Sequence, residues 1–139
     1  MEPSYEIFDH TADMGMRVVA PTMSDLLAPA MDGLYAMIGE LATAGAEQTV
    51  DIKLTGDDPS ILLRDFLDEL LVLFDRDKRI AVALDDAALS ADRLHVAVQT
   101  RAIDEDRSVL LREVKAITYH ALDIVNVPGG FQATVIVDI

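Results

Sequence analysis

Two places in this sequence bring oxygen donors and proton carriers close enough together to do chemistry. The first is Phe8-Asp9-His10-Thr11-Ala12-Asp13, which holds two carboxylates, an imidazole and a hydroxyl where an early extended stretch breaks. Hard cations such as Ca²⁺ and Mg²⁺ take several oxygen ligands, carboxylates and backbone carbonyls among them. An ordinary polar turn, with Asp and Thr bonding their own backbone, uses the same residues. The second place is the other end of the sequence, where the apolar run Phe131 to Val137 leads straight into Asp138-Ile139. Strand alternation puts Asp138 on the face of Gln132 and Thr134, and Ile139 with Val135 and Val137. The terminal α-carboxylate then lies beside the Asp138 side chain. Two anionic groups held so close repel each other, and a bound cation relieves the repulsion. Carboxylates pointing into water at a sheet edge are the alternative.

The other ionisable residues give weaker signals. His120 closes Lys115-Ala116-Ile117-Thr118-Tyr119-His120, where alternation would group it with Ala116 and Thr118. His95 has no acidic or imidazole neighbour, and Glu69 reads as a solvated helix charge. Lys115 is one of three lysines; its long stem suits snorkelling from a strand. The roles of Lys115, His120 and Glu69 are left open by the sequence. There is no P-loop, no G-x-G-x-x-G, no G-x-S-x-G and no H-E-x-x-H, and without cysteine no thiol chemistry.

These residues must be positioned by one domain, 1–139, of the commonest size. With 11 Lys+Arg against 25 Asp+Glu the net charge is −14. That balance argues against direct phosphate-dominated nucleic-acid binding and against adhesion to anionic membranes. A composition of 51% hydrophobic and 26% charged residues is that of a globular chain. The start, Met1 to Glu6, lacks the basic and apolar regions of a signal peptide. The longest uncharged stretch, Ile124 to Val137, is too short and too broken by Pro128-Gly129-Gly130 to span a bilayer. A soluble, cytoplasmic protein is expected.

Tyr5 to Phe8 and Gly15 to Ala20 read as short strands on either side of the first cluster. Thr22 or Ser24 can cap a helix whose apolar positions, Leu26 to Leu41, recur at three-and-four spacing. Pro29 should distort its first turns. Ala42 to Gln48 reads as a small-residue loop and Thr49 to Leu54 as an alternating strand. Asp58 is placed to cap, and Pro59 to begin, a second helix over Ile61 to Phe74. Ile80 to Leu84, Leu89 to Thr100, Val114 to Val125 and Phe131 to Val137 are extended, with a turn at Pro128-Gly129-Gly130. Helices early and strands late predict an α+β, two-layer sandwich: two helices on one face of a mostly antiparallel sheet.

Four blocks carry a resemblance: Phe8-Asp9-His10-Thr11-Ala12-Asp13-Met14-Gly15, Phe66-Leu67-Asp68-Glu69-Leu70-Leu71, Val114-Lys115-Ala116-Ile117-Thr118-Tyr119-His120 and Val135-Ile136-Val137-Asp138-Ile139. Together, in this order and over nearly the whole chain, they resemble the archease family. Met14 stands where Val or Ile is usual, Asp68 where Asn is common, and Phe131 where a Trp often follows the glycines. The resemblance implies a two-layer α/β fold and a protein cofactor of the GTP-dependent RNA-splicing ligase that joins tRNA halves. Such cofactors promote guanylylation of the ligase's own histidine and multiple turnover, and are not themselves catalysts. It also implies a divalent cation, calcium with Mg²⁺ or Mn²⁺ as alternatives, held at Asp13, Asp138 and the terminal residue Ile139. His10 would stand no nearer than behind those ligands.

Two other classes remain open at this point. One is a metal-dependent phosphoester hydrolase using Asp13, Asp138 and His10 to activate water. The other is a chaperone-like interaction module whose metal only fixes the last strand. Self-association, the physiological metal and the RNA repaired by the partner are not legible in the sequence.

Overall fold

In the computed structural model, which describes residues 1–10 and 12–139 with His10 by its backbone alone, the chain opens with a hairpin. Strand β1 (Ser4–His10) pairs antiparallel with β2 (Asp13–Ala20), from Ser4 opposite Val19 to His10 opposite Asp13. Ala12, just before β2, takes a left-handed conformation with φ 64°, as tight hairpin turns often require.

A short 3₁₀ turn, Ser24–Leu26, then leads into α1 (Leu27–Ile38). Of the two expected caps, Thr22 holds the turn, its Oγ1 accepting from the Asp25 N–H at 3.1 Å. Ser24 instead reaches across the molecule, accepting from the Leu89 N–H at 2.9 Å. Pro29 falls in the first turn of α1, where its missing N–H has no intrahelical partner to lose. It therefore does not break the helix.

Helix α1 ends at Gly39, which with Glu40 forms β3 (Gly39–Glu40) against β7 (Val109–Leu110). A Cβ at Gly39 would run into the Val109 carbonyl, so the close backbone approach requires glycine. The expected loop over Ala42 to Gln48 is mostly strand: β4 runs Thr43–Thr55, irregular between Ala44 and Gln48, with Gly45 at φ 81°. Long-range bonds supply what local sequence did not, since Arg101 Nε donates to the Gly45 carbonyl and Arg79 Nη2 to that of Ala46.

Helix α2 (Pro59–Asp77) begins as its sequence dictates. The Asp58 side chain accepts from the Ser60 N–H at 2.9 Å and from the Ser60 hydroxyl at 2.7 Å, with Pro59 in the first turn. The helix outlasts the expected Phe74 and stops at Lys78, left-handed at φ 54°. Strands β5 (Arg79–Leu89) and β6 (Arg93–Ile103) follow. The expected strand from Val114 to Val125 is broken into β8 (Ala116–Ile117) and β9 (Asp123–Val127) by a turn with Ala121 at φ 52°. The last strand is β10 (Gly130–Asp138).

All the described pairings are antiparallel. Two helices with mostly antiparallel strands make the expected α+β sandwich. The strands group into a five-stranded sheet, β1-β2-β10-β8 with β9 also on β10, a three-stranded sheet, β4-β6-β5, and the small β3-β7 pair. Helix α1 lies on β1 and β2, whereas α2 packs on β4, β5 and β6 and also touches β8 and β9. The core between the layers is fully buried at Met16, Leu34, Phe66, Leu70, Val96 and Val135. At roughly 25 cal/mol per Å² of apolar surface removed from water, such burial is the main stabilising term.

Candidate functional site

The five-stranded sheet joins the two sequence clusters. Strand β10 lies beside β2, with Val135 opposite Met16 and Val137 opposite Met14. Asp13 and Asp138 are the next residue on each of these two strands. Asp13 is in turn paired with His10 on β1, and Asp138 with Ala116 on β8. The backbones of residues 10 and 13, and of 138 and 116, thus lie at the same end of the sheet. Asp13 is half-buried and Asp138 exposed. Like charges directly opposite each other weaken a sheet unless other groups compensate them.

The end of β10 is held from both sides. The Lys115 N–H donates to the Asp138 carbonyl at 2.8 Å, and the Thr118 N–H and hydroxyl both donate to that of Ile136 at 2.9 Å. Ile139 is half-buried and packs against the core, which leaves its backbone rather than its side chain for any polar role. On the face shared with Asp13, a Cβ on Gly15 would overlap the Phe8 ring and the end of Ile136, so Gly15 lets these two close over the sheet. The Arg17 guanidinium lies over the Phe8 ring, 4.2 Å from its centroid.

Other expected residues fall elsewhere. Lys115 and His120 are exposed, and the His120 N–H donates to Thr118 Oγ1 at 3.2 Å. His120 follows the end of β8, so the alternation that grouped it with Ala116 and Thr118 does not extend to it. His95 lies on β6 opposite Lys53, in the other sheet. Glu69 is exposed on α2, beside a shallow cavity of about 150 Å³ lined by Val50 to Leu54. The His10 side chain and Thr11 lie outside the described residues.

Sequence reasoning missed Arg64. From α2 its Nε donates to the Ile117 carbonyl at 3.0 Å, and its guanidinium stacks on Tyr119, 4.5 Å from the ring centroid. Asp65 pairs with it at 2.7 Å. Arg64 thereby ties the helix to β8, the strand that flanks Asp138. The spacing Arg64-Asp65-Asp68 was its only sequence signal, and such runs are common on solvated helices.

Asp13 and Asp138 offer carboxylate oxygens alone, the donor chemistry that hard divalent cations take. Among the described residues no group of three or more His, Asp or Glu side chains is gathered to hold a metal. The two carboxylates would therefore be part of a cation's shell and not the whole of it. Among the described residues, no helix is long and apolar enough to cross a membrane.

Known proteins resemble this chain in both sequence and fold. Residues 5–139 match the model of the archease protein family. The protein archease of Methanopyrus kandleri is 30% identical over 138 residues, covering 97% of this chain and 99% of its own. That of Archaeoglobus fulgidus is 29% identical over 135 residues, with 97% and 98% covered. The solution structure of Methanobacterium thermoautotrophicum protein 1598 superposes with a TM-score of 0.73 at 27% identity, covering 98% of this chain and 99% of that one. A crystal structure from Thermotoga maritima, described as an archease and possible chaperone, gives 0.72 at 18% identity, with 96% of each chain covered, and so speaks for the fold alone. With its sheet built from both ends of the sequence and a family match over nearly its whole length, this chain belongs to the archease family.

Proposed function

We propose that this chain is a protein cofactor of a GTP-dependent RNA-splicing ligase in the cytoplasm, promoting guanylylation of the ligase and its repeated turnover in tRNA splicing and RNA repair. Family membership supports the class of activity. The observation that supports the site is the register of β2 with β10, which pairs Val137 with Met14, the neighbours of Asp138 and Asp13, although 125 positions (138 − 13) separate those two residues.

A divalent cation would be held by Asp13, Asp138 and the backbone end at Ile139, calcium first, with Mg²⁺ or Mn²⁺ as alternatives. When bound, it would neutralise the paired carboxylates and offer positive charge to phosphate oxygens. Asp13 and Asp138 themselves present a compact negative edge to a cationic, nucleotide-handling surface. Thr118 and the Lys115 backbone hold β10 so that this edge keeps its shape. Activation by such docking requires the chain to bind the nucleotide-accepting ligase state more tightly than the resting one. Moving a ligase population from 1:99 to 99:1 takes about 5.5 kcal/mol of that difference.

The test is to mix the chain with its cognate ligase and GTP and to follow guanylylation over several turnovers. Wild type should stimulate, and folded Asp13→Ala should lose roughly tenfold or more, as loss of about 1.4 kcal/mol at the docking edge implies. Phosphoester turnover by the chain alone would favour a hydrolase instead. Unchanged stimulation by Asp13→Ala, with only its thermal stability lowered, would favour an interaction module with a structural metal.

A further inference from the structure

Strand β4 is an edge of the three-stranded sheet: β6 pairs with one side of it, and no strand among the described residues pairs with the other. A free edge presents unpaired N–H and C=O groups, which proteins usually blunt. The opposite edge, β5, is blunted by register shifts between Ala81 and Ala83 and between Asp85 and Ala88, with Asp86 at φ 54°. Strand β4 has its irregularity before Gln48 and keeps an unbroken register from Gln48 to Thr55.

The direction of its backbone groups follows from one bond. The Gly56 N–H donates to the Asp92 carbonyl at 3.0 Å, toward β6. In an antiparallel strand successive residues alternate in direction, so Thr49, Asp51, Lys53 and Thr55 turn their backbone groups outward. Their side chains are exposed, whereas Ile52 is buried and Val50 and Leu54 half-buried.

From these features we propose that the β4 edge pairs with the β4 edge of a second copy of this chain, antiparallel about a two-fold axis at Ile52. In that register Asp51 stands opposite Lys53 of the second copy, and Lys53 opposite its Asp51. Thr49 and Thr55 face each other in the same way, and Val50 meets Leu54 on the core side. The outward-facing residues then form the hydrogen-bonded pairs, and each charge meets its opposite. Moving the axis by one residue sets Asp51 against Asp51, or Lys53 against Lys53, which is destabilising. A lysine on an edge strand ordinarily discourages pairing, but here an aspartate two residues away answers it in the second copy. Such a contact is isologous and closes as a dimer, joining two three-stranded sheets into one. It leaves Asp13 and Asp138, on the other sheet, uncovered. The charge of −14 on each copy opposes association, so the contact is best measured at physiological salt, where the screening length is about 8 Å.

Sedimentation equilibrium over a concentration series tests the proposal. Wild type should move from 15.2 kDa toward twice that mass as concentration rises. Lys53→Glu, with an unchanged circular dichroism spectrum, should remain at the monomer mass. The charge swap Asp51→Lys with Lys53→Asp should regain the dimer. A wild-type chain that stays monomeric to about 1 mM, where association would be worth only about 4 kcal/mol, overturns the proposal. So does a dimer that Lys53→Glu leaves intact, or a charge swap that fails to restore it.

Discussion

In and beside the three-stranded sheet, several charged residues are answered close at hand. Arg79 donates to Thr100 Oγ1 and to the Thr100 carbonyl, both at 2.9 Å, and Arg107 pairs with Asp104 at 2.7 Å while reaching the Thr43 carbonyl. The Arg107 side chain in turn holds the Asp104 carboxyl below the usual carboxylate range. In the five-stranded sheet, strands from opposite ends of the sequence pair as far as Val137 and Met14, with Asp138 and Asp13 the next residue on each strand. The first arrangement is what a stable surface needs. The second gathers acidic side chains from both ends of the sequence at one end of a sheet, the place proposed above as the site.

The contrast can be broken most severely at Gly15. Gly15→Ala should force Phe8 and Ile136 apart and cost about 1–3 kcal/mol in urea denaturation. It should disturb the site sheet while amide exchange in β5 and β6 stays protected. Equal loss of protection in both sheets would mean that they do not differ as supposed.

A smaller effect is expected at the start of α2, which packs on both sheets. Asp58→Ala removes the cap and should cost about 1 kcal/mol. The Ser60 side-chain and backbone bonds hold the Asp58 carboxyl below its ordinary value. Because its folded pKa is depressed, its contribution is present above the unfolded value of about 3.9 and is lost as pH falls through the folded pKa. Acid titration of stability in wild type and Asp58→Ala should therefore diverge above pH ~4 and converge below it. The smallest effect concerns Ala12. With φ at 64°, Ala12→Gly should stabilise the hairpin by up to about 1 kcal/mol, read as a modest rise in Tm. A fall would show that the Ala12 methyl makes contacts worth more than the strain.

The sequence was legible where structure is decided locally. The two strands flanking the first cluster, the Asp58-Pro59 helix start and the Pro128-Gly129 turn all rest on residues a few positions apart. It misled where distant partners decide. The small residues of 43–48 become strand through bonds from Arg79 and Arg101, and β3 exists only because Val109 and Leu110 reach it. The division into separate sheets likewise depends on pairings between distant strands. Of the candidate site, residue types at both ends were legible, but the pairing of the strands that carry them was not, because the β2-β10 register spans the whole chain. Arg64 was invisible for the same reason: its partners, Ile117 and Tyr119, lie some fifty residues away.

The central claim is that Asp13 and Asp138 act on the ligase as one unit. A double-mutant cycle tests it directly: Asp13→Asn, Asp138→Asn and the double variant are compared in multiple-turnover guanylylation of the cognate ligase with GTP. The double variant should be little worse than either single one, since groups acting together are strongly non-additive. Losses that simply add, or single variants that stimulate like wild type, would contradict a shared site.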